Sequence, residues 1–283
     1  MNRLELQRMT PRPTTDFAPI NVVNALNDCF QGYLTPVNFT VTGFEQRMRS
    51  EHLDPEASKI YTLEDRPVGV ILVARRGWNS RIAAMSVAPE FRNQGAGRQM
   101  LLDMLEAARE RHDRQVLLEV FEQNPNAVKL YRSVGFQIVR RLFGYERPSS
   151  QETFEPLIEI DPLGFSRIVS REAESGLPWM LEAETFAAKV LPNRAFQLEA
   201  GAFALVTDTV GENIVLWNLV VSRSARRRGL GARMVRGLVN QFNGKGCVIV
   251  QLVPETLAPE FFSGLGFSVM RLNQFEMRHP LER

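Results

Sequence analysis

Apolar residues along the chain recur with two periods, and the switches between periods mark its elements. Leu4 and Leu6 predict a first strand over residues 1–8, and Pro11, Pro13 and Pro19 then interrupt the pattern. Residues 22–30 and 44–52 hold apolar positions at helical spacing and predict two helices. Residues 60–63 and 68–75 alternate around Glu64-Asp65-Arg66-Pro67, as a hairpin does. Gly77-Trp78-Asn79 turns the chain into a strand over 81–87, which Pro89 stops because proline donates no ladder hydrogen bond. Met100, Leu101, Met104, Leu105 and Ala108 then predict a helix to about Arg111. Residues 116–121 predict a buried strand holding one acid, Glu119. Asn124-Pro125 opens a further helix, with Asn as cap and Pro at the first helical position, and Gly135 ends it. Residues 136–145 predict a last strand.

The polar run 148–152 reads as a linker, so the expected domains are 1–147 and 153–283. Residues 153–191 have apolar clusters without a clear period. Beyond them, 196–207 and 214–221 predict strands joined at Gly211-Glu212-Asn213. A helix over 229–242, a strand over 247–253, a short helix over 258–263 and a closing strand over 267–277 follow. Strands, loop and helix, strand, helix and strand thus succeed each other in the same order twice. This alternation predicts an α/β (α+β) chain of two tandem folds, each a mixed twisted sheet flanked by helices, with right-handed crossovers.

The repetition extends to residue types. Arg92-Asn93-Gln94-Gly95-Ala96-Gly97 returns as Arg226-Arg227-Arg228-Gly229-Leu230-Gly231, a separation of 226 − 92 = 134 residues. In each half the stretch joins a strand to a helix. Glycines let successive N–H groups point into one concavity, and the helix behind adds its unsatisfied N–H groups and positive dipole end. Such a turn can seat a pyrophosphate. It is neither the Gly-x-Gly-x-x-Gly of a dinucleotide fold nor a P-loop.

Composition narrows the function classes. The 283 residues are 44% hydrophobic and 23% charged, enough for one or two buried cores. A net charge of +2 gives no global case for nucleic acid or a membrane surface. No apolar run reaches the roughly 18–20 residues of a membrane span, and the first residues lack the apolar core of a signal peptide. Two cysteines, Cys29 and Cys247, make no disulfide framework and fit the reducing cytoplasm. His52, His112 and His279 are scattered with no metal-ligand spacing, so no metal is expected.

The spacing Arg-x-x-Gly-x-Gly after a strand ending Val-x-Pro resembles the acetyl-CoA pyrophosphate loop of the GNAT N-acetyltransferases. Leu118-Glu119-Val120, Asn124-x-x-Ala127-x-x-Leu130-Tyr131 and Gly135-Phe136 are similar to the corresponding stretch of the bacterial ribosomal-protein alanine N-acetyltransferases, a resemblance covering about residues 60–145. It implies an acetyl-CoA-dependent N-acetyltransferase acting on a primary amine of a small molecule or peptide, as a monomer or homodimer. The other reading is a non-catalytic acyl-CoA-binding or interaction protein built from two such domains. The implied cofactor residues are Met85, Ser86 and Val87, the loop Arg92, Asn93, Gln94, Gly95, Ala96, Gly97 and Arg98, and Asn124, Ala127 and Tyr131. The implied catalytic residues are Tyr131, as acid to the leaving thiolate, and Glu119, as base. A carboxylate in an apolar strand would have the raised pKa that suits a base; Glu119 otherwise pairs a neighbouring Arg. Backbone N–H groups near Met85–Val87 would receive the oxyanion where two strands splay apart.

In the fold this resemblance implies, the segment between the first two helices borders the acceptor site. Phe30, Tyr33 and Phe39 are therefore either acceptor-pocket walls or core anchors, and Asp54 and Ser58 either acceptor contacts or plain turn residues. The second half departs from the pattern. Phe262 stands where Tyr131 would, Val250 where Glu119 would and Glu255 where Asn124 would. That half reads as a degenerate domain whose loop could still hold a CoA pyrophosphate.

Overall fold

The computed structural model describes residues 8–152 and 154–281. The strand expected over residues 1–8 lies outside them except for Arg8. The chain first forms β1 (Thr10–Pro13), α1 (Pro19–Cys29), α2 (Val41–Glu51), β2 (Lys59–Leu63), β3 (Arg66–Arg76) and β4 (Asn79–Val87). Then come α3 (Ala96–Glu110), β5 (Gln115–Phe121), α4 (Pro125–Ser133) and β6 (Gln137–Arg147). After β6 it forms β7 (Ile158–Ile160), α5 (Pro162–Glu172), α6 (Ala183–Ala187), β8 (Asn193–Leu198), β9 (Ala202–Asp208) and β10 (Asn213–Val221). It ends in α7 (Leu230–Gln241), β11 (Gly246–Pro254), α8 (Pro259–Gly264), β12 (Ser268–Val269) and β13 (Gln274–Pro280).

Two compact units result. The first comprises Met1–Val139 and Phe275–Arg283, the second Arg140–Gln274. In the first, the strand order is β1-β2-β3-β4-β5, with β13 next to β5. Only β4 and β5 pair in parallel within the run from β1 to β5. Pro11 and Pro13, read from the sequence as interruptions, sit in β1 at the sheet edge, where a missing N–H breaks no ladder. The apolar face of α3, with Met100, Leu101, Met104, Leu105 and Ala108, packs on Ile71 and Val73 of β3 and Val116 and Leu118 of β5. Met277 of β13 is fully buried in this core, and the Leu281 N–H donates to Arg114 O at 2.9 Å.

In the second unit the order is β6-β11-β10-β9-β8-β7, with β12 also on β6. Its core sets Met234, Val235 and Leu238 of α7 against Val206, Ile214 and Ile249, and a smaller cluster forms around Phe165 and Phe186.

These units divide the chain differently from the linker at 148–152. Residues 140–147, expected to close the first domain, group with the second unit, and residues 275–283 group with the first. The strand expected over 196–207 is two strands joined at Glu199-Ala200-Gly201, with Glu199 and Ala200 both at positive φ. The unclear stretch 153–191 contains α5, capped by Asp161, whose carboxylate accepts from Leu163 N at 2.7 Å. No helix among the described residues is long and apolar enough to cross a membrane.

Candidate active site

In the first unit β4 and β5 pair from Asn79/Gln115 to Ile82/Leu118, and there the ladder stops. The register of β4 on β3 jumps between Leu72/Ala84 and Val73/Ile82, so Ala83 is a bulge at the point of divergence. Ala88 N donates back to Val68 O at 2.9 Å, towards β3. Strand alternation then turns the N–H groups of Met85 and Val87 to the side that β5 has left. The second unit repeats the design. Pairing of β10 with β11 ends at Val215/Val248, and Trp217 is the bulge, 134 residues after Ala83.

The loop after β4 is a concavity of backbone N–H groups. Asn93 and Gly95 take φ of 59° and 94°, and Gly95 caps α3 in the left-handed region. A Cβ on Gly97 would lie 3.2 Å from Leu130 Cδ2, so glycine lets the start of α3 approach α4 closely. Arg98 is exposed in the first turn. Arg92 has a different duty from the phosphate-facing one its position implied. Its Nε donates to Val87 O at 2.9 Å, and its Nη2 to Cys29 O at 3.0 Å and Gln31 O at 2.6 Å. The guanidinium therefore staples the loop to the C-terminal carbonyls of α1. Arg226 does the same, giving Nε to Val221 O at 3.2 Å and Nη2 to Glu172 O at 2.8 Å. Ser86 is also spent on α1, its hydroxyl donating to Cys29 O at 2.6 Å. Gln94 donates to Glu90 O at 2.6 Å.

Two caps fix α4. At its start Asn124 Oδ1 accepts from Ala127 N at 3.2 Å. At its end Gly135, at φ 99°, makes a Schellman turn: Gly135 N donates to Arg132 O at 3.1 Å and Phe136 N to Tyr131 O at 3.1 Å. The Phe136 ring meets the Tyr131 ring edge-on at 5.8 Å. The Gly-Phe pair thus sets the turn that carries Tyr131. Gly266-Phe267 makes the same turn around Phe262, with the Phe267 N–H donating to Phe262 O at 3.0 Å. Burial raises the Tyr131 phenol well above its usual range, and the neighbouring Tyr33 adds to this, so the proton is held at neutral pH. Tyr33, Phe30 and Phe39 form one aromatic cluster, Phe30 lying 5.2 Å from Tyr33 and 5.4 Å from Phe39. Tyr33 reaches Phe121 at the end of β5, with ring centroids 6.4 Å apart. The α1–α2 loop therefore extends to the divergent end of β5.

Glu119 is not alone in an apolar strand. Arg81 Nε and Nη2 donate to its carboxylate at 2.8 and 2.7 Å, and Arg81 Nη1 donates to Glu51 Oε2 at 3.0 Å. Arg47 closes the chain, giving Nε to Glu51 Oε1 at 2.6 Å and Nη2 to Ala83 O at 3.1 Å. Of the alternatives open in the sequence, the pairing with a neighbouring Arg is the observed geometry, so the apolar setting behind the raised-pKa expectation is absent. Burial works to raise the pKa of Glu51, but Arg47 and Arg81 outweigh it and hold it at about 2. The sequence reasoning missed Arg81, Glu51 and Arg47. The one available signal was that Arg81 stands two residues before the bulge in an otherwise small and apolar strand. Asp54 and Ser58 are turn residues: Asp54 Oδ1 accepts from Glu56 N and Ala57 N, and Ser58 Oγ accepts from Val73 N.

The corresponding cleft of the second unit has about 480 Å³ and is mostly apolar. Leu216, Leu219, Ile249, Val253 and Phe261 line it, with Arg227 and Gly229 at its loop end. Phe262 stacks on Tyr145 at 4.4 Å. Among the described residues no group of three or more His, Cys, Asp or Glu could hold a metal ion.

Comparison with known proteins agrees with this geometry. The Acetyltransferase (GNAT) family model matches residues 21–136 and 194–267. A curated relative, the catalytic subunit of the N-terminal acetyltransferase B complex of Arabidopsis thaliana, is 28% identical over 99 residues, 34% of this chain. The chain spans about half the length of that relative, 51%. A GCN5-related N-acetyltransferase from Sphaerobacter thermophilus superposes with a TM-score of 0.68 at 15% identity, over 98% of this chain and 96% of that one. A tandem GNAT protein from the clavulanic acid biosynthesis pathway has a TM-score of 0.68 at 15% identity, over 97% and 98%. With its family motif matched in both halves, the chain belongs to the acetyltransferase (GNAT) family.

Proposed function

We propose that the first unit transfers the acetyl group of acetyl-CoA to a primary amine of a small molecule or peptide. The observation that carries this reading is the coincidence, in that unit, of three features: the splay of β4 from β5, the amide concavity of the Arg92–Gly97 loop, and a capped helix presenting the Tyr131 hydroxyl. The concavity and the Arg98 cation suit the pyrophosphate. The splay leaves room for the pantetheine arm, and Asn124 and Ala127 at the start of α4 flank its path.

The neutral amine attacks the thioester carbonyl. A C–N bond forms, and the carbonyl oxygen takes the negative charge within reach of the Met85 and Val87 amides. Collapse breaks the C–S bond, and Tyr131 gives its proton to the departing thiolate. The proton lost by the amine leaves through water beside Glu119. Both oxygens of Glu119 accept from Arg81, which makes it an anchored anion that attracts the ammonium form and orients the water. Holding amine and thioester together supplies much of the rate.

The second unit fits the non-catalytic alternative. Its cleft persists, but Phe262 has no proton to give. The test is thiol release from acetyl-CoA against a panel of primary amines and short peptides. With the accepted amine, Tyr131→Phe is expected to lower kcat about 10²- to 10³-fold with little change in KM for acetyl-CoA. Unchanged kcat would remove Tyr131 from the mechanism.

A further inference from the structure

The buried chain Arg47–Glu51–Arg81–Glu119 lies where β4 and β5 part. Arg81 is one residue before the last paired residue of β4, and Glu119 one residue after the last paired residue of β5. Across that point Arg81 forks, with Nε and Nη2 on Glu119 and Nη1 on Glu51. Arg47 ties the other end to the carbonyl of Ala83, the bulge residue, two positions before Met85. The side chains of Arg81, Glu51 and Glu119 are 8%, 7% and 5% exposed, so these ions are held with almost no water.

Buried ion pairs are a poor way to gain stability, because desolvation offsets their attraction and well-packed apolar groups do as well or better. The same chain contains that apolar solution. In the second unit the bulge lies 134 residues on, so Val215 takes the place of Arg81, and Val250 follows the last paired region of β11 as Glu119 follows that of β5. Its strands part at the same point without charges. The fold does not require the ions, and they occur in the half that carries Tyr131.

We propose that Arg81 is a positioning residue for acetyl transfer. It pins the two strands at their parting and, through Glu51 and Arg47, fixes the Ala83 bulge that aims the Met85 and Val87 amides at the oxyanion. It also holds Glu119 at the acceptor end. Planar, forked and always charged, Arg suits a bridge between two carboxylates as Lys does not. The proposal rests on the first-unit active site proposed above.

The test gives the first unit the second unit's solution. Arg81→Val with Glu119→Val removes the charges of both partners and leaves the Arg47–Glu51 pair; Glu119→Gln alone is the control, since it keeps an oxygen for Arg81. Backbone amide resonances of Met85 and Val87 are compared in 15N-labelled protein, together with acetyl-CoA binding and turnover. The double variant is expected to fold and to bind acetyl-CoA within about threefold of wild type. It should move both amide resonances and lose turnover about 10²-fold, the scale of a 1 Å misplacement. Glu119→Gln should leave the two amides in place. Unmoved Met85 and Val87 amides in the folded double variant, or wild-type turnover, would overturn the proposal while leaving the acetyltransferase reading intact. Shifted amides in a protein whose wild type acetylates no amine would instead defeat that reading and leave the positioning of the two amides standing.

Discussion

Removing Arg81 alone leaves Glu119 buried without its counterion, and that imbalance decides the cost. Arg81→Met is expected to destabilise the protein by about 3–5 kcal/mol, whereas removing Glu119 as well should restore much of it. Thermal unfolding of the single and double variants measures the difference. Glu51 gives the matching pH dependence. Its folded pKa of about 2 lies below its ordinary 4.5, so its contribution to stability is complete above pH 4.5 and is lost as pH falls through about 2. Urea midpoints between pH 5 and 2 should therefore fall less steeply in Glu51→Gln than in wild type; equal slopes would contradict the assignment. Residue identity was legible where chemistry depends on a local frame. Asn124 as cap and Gly135 as helix stop both hold in the structure. The duty of Arg92 was not legible, because its partners, Cys29 and Gln31, lie some sixty residues earlier in the chain.

Among the elements, α4 shows how two local signals place a distant hydroxyl. Asn124 fixes its first turn and Gly135 its last, and Tyr131 supplies the carbonyl that receives the closing hydrogen bond from Phe136. A Cβ at Gly135 would lie 2.7 Å from His279 Cε1 and would have to adopt φ 99°. Gly135→Ala should therefore cost about 1–2 kcal/mol in backbone strain and about 1–3 kcal/mol in overpacking, read as a lowered melting temperature. A melting temperature equal to wild type would show that the turn relaxes freely. The repeated order of strands and helices was readable from periodicity, as were both loop-helix units. The turn at Glu199-Ala200 was hidden, since nothing in those residue types demands positive φ. The helix α5 carried its start signal, Asp161-Pro162, but its apolar face was too short to stand out from the clusters around it.

For the whole molecule, the first unit recruits the last strand of the chain. Met277 is fully buried in its core, and Phe275 packs against the same cluster. The segments 137–147 and 274–280 both read as strands, but pairing is non-local and no pattern within either strand names its neighbours. A protein ending at residue 273 should consequently lose the first unit's compactness, seen as rapid proteolysis within residues 8–139 and loss of acetyl-CoA binding. Protection equal to that of the full chain would show that β13 is dispensable.

The central claim is that the first unit holds the acetyl donor, and calorimetric titration with acetyl-CoA tests it most directly. The variants are Arg98→Glu and Arg227→Glu, which reverse a loop cation in one cleft each and leave the Arg92 and Arg226 staples intact. Arg98→Glu is expected to weaken binding tenfold or more, a loss of about 1.4 kcal/mol or greater, and Arg227→Glu to leave that binding event unchanged. Loss of binding with Arg227→Glu alone, or no binding to the wild type, would contradict the account.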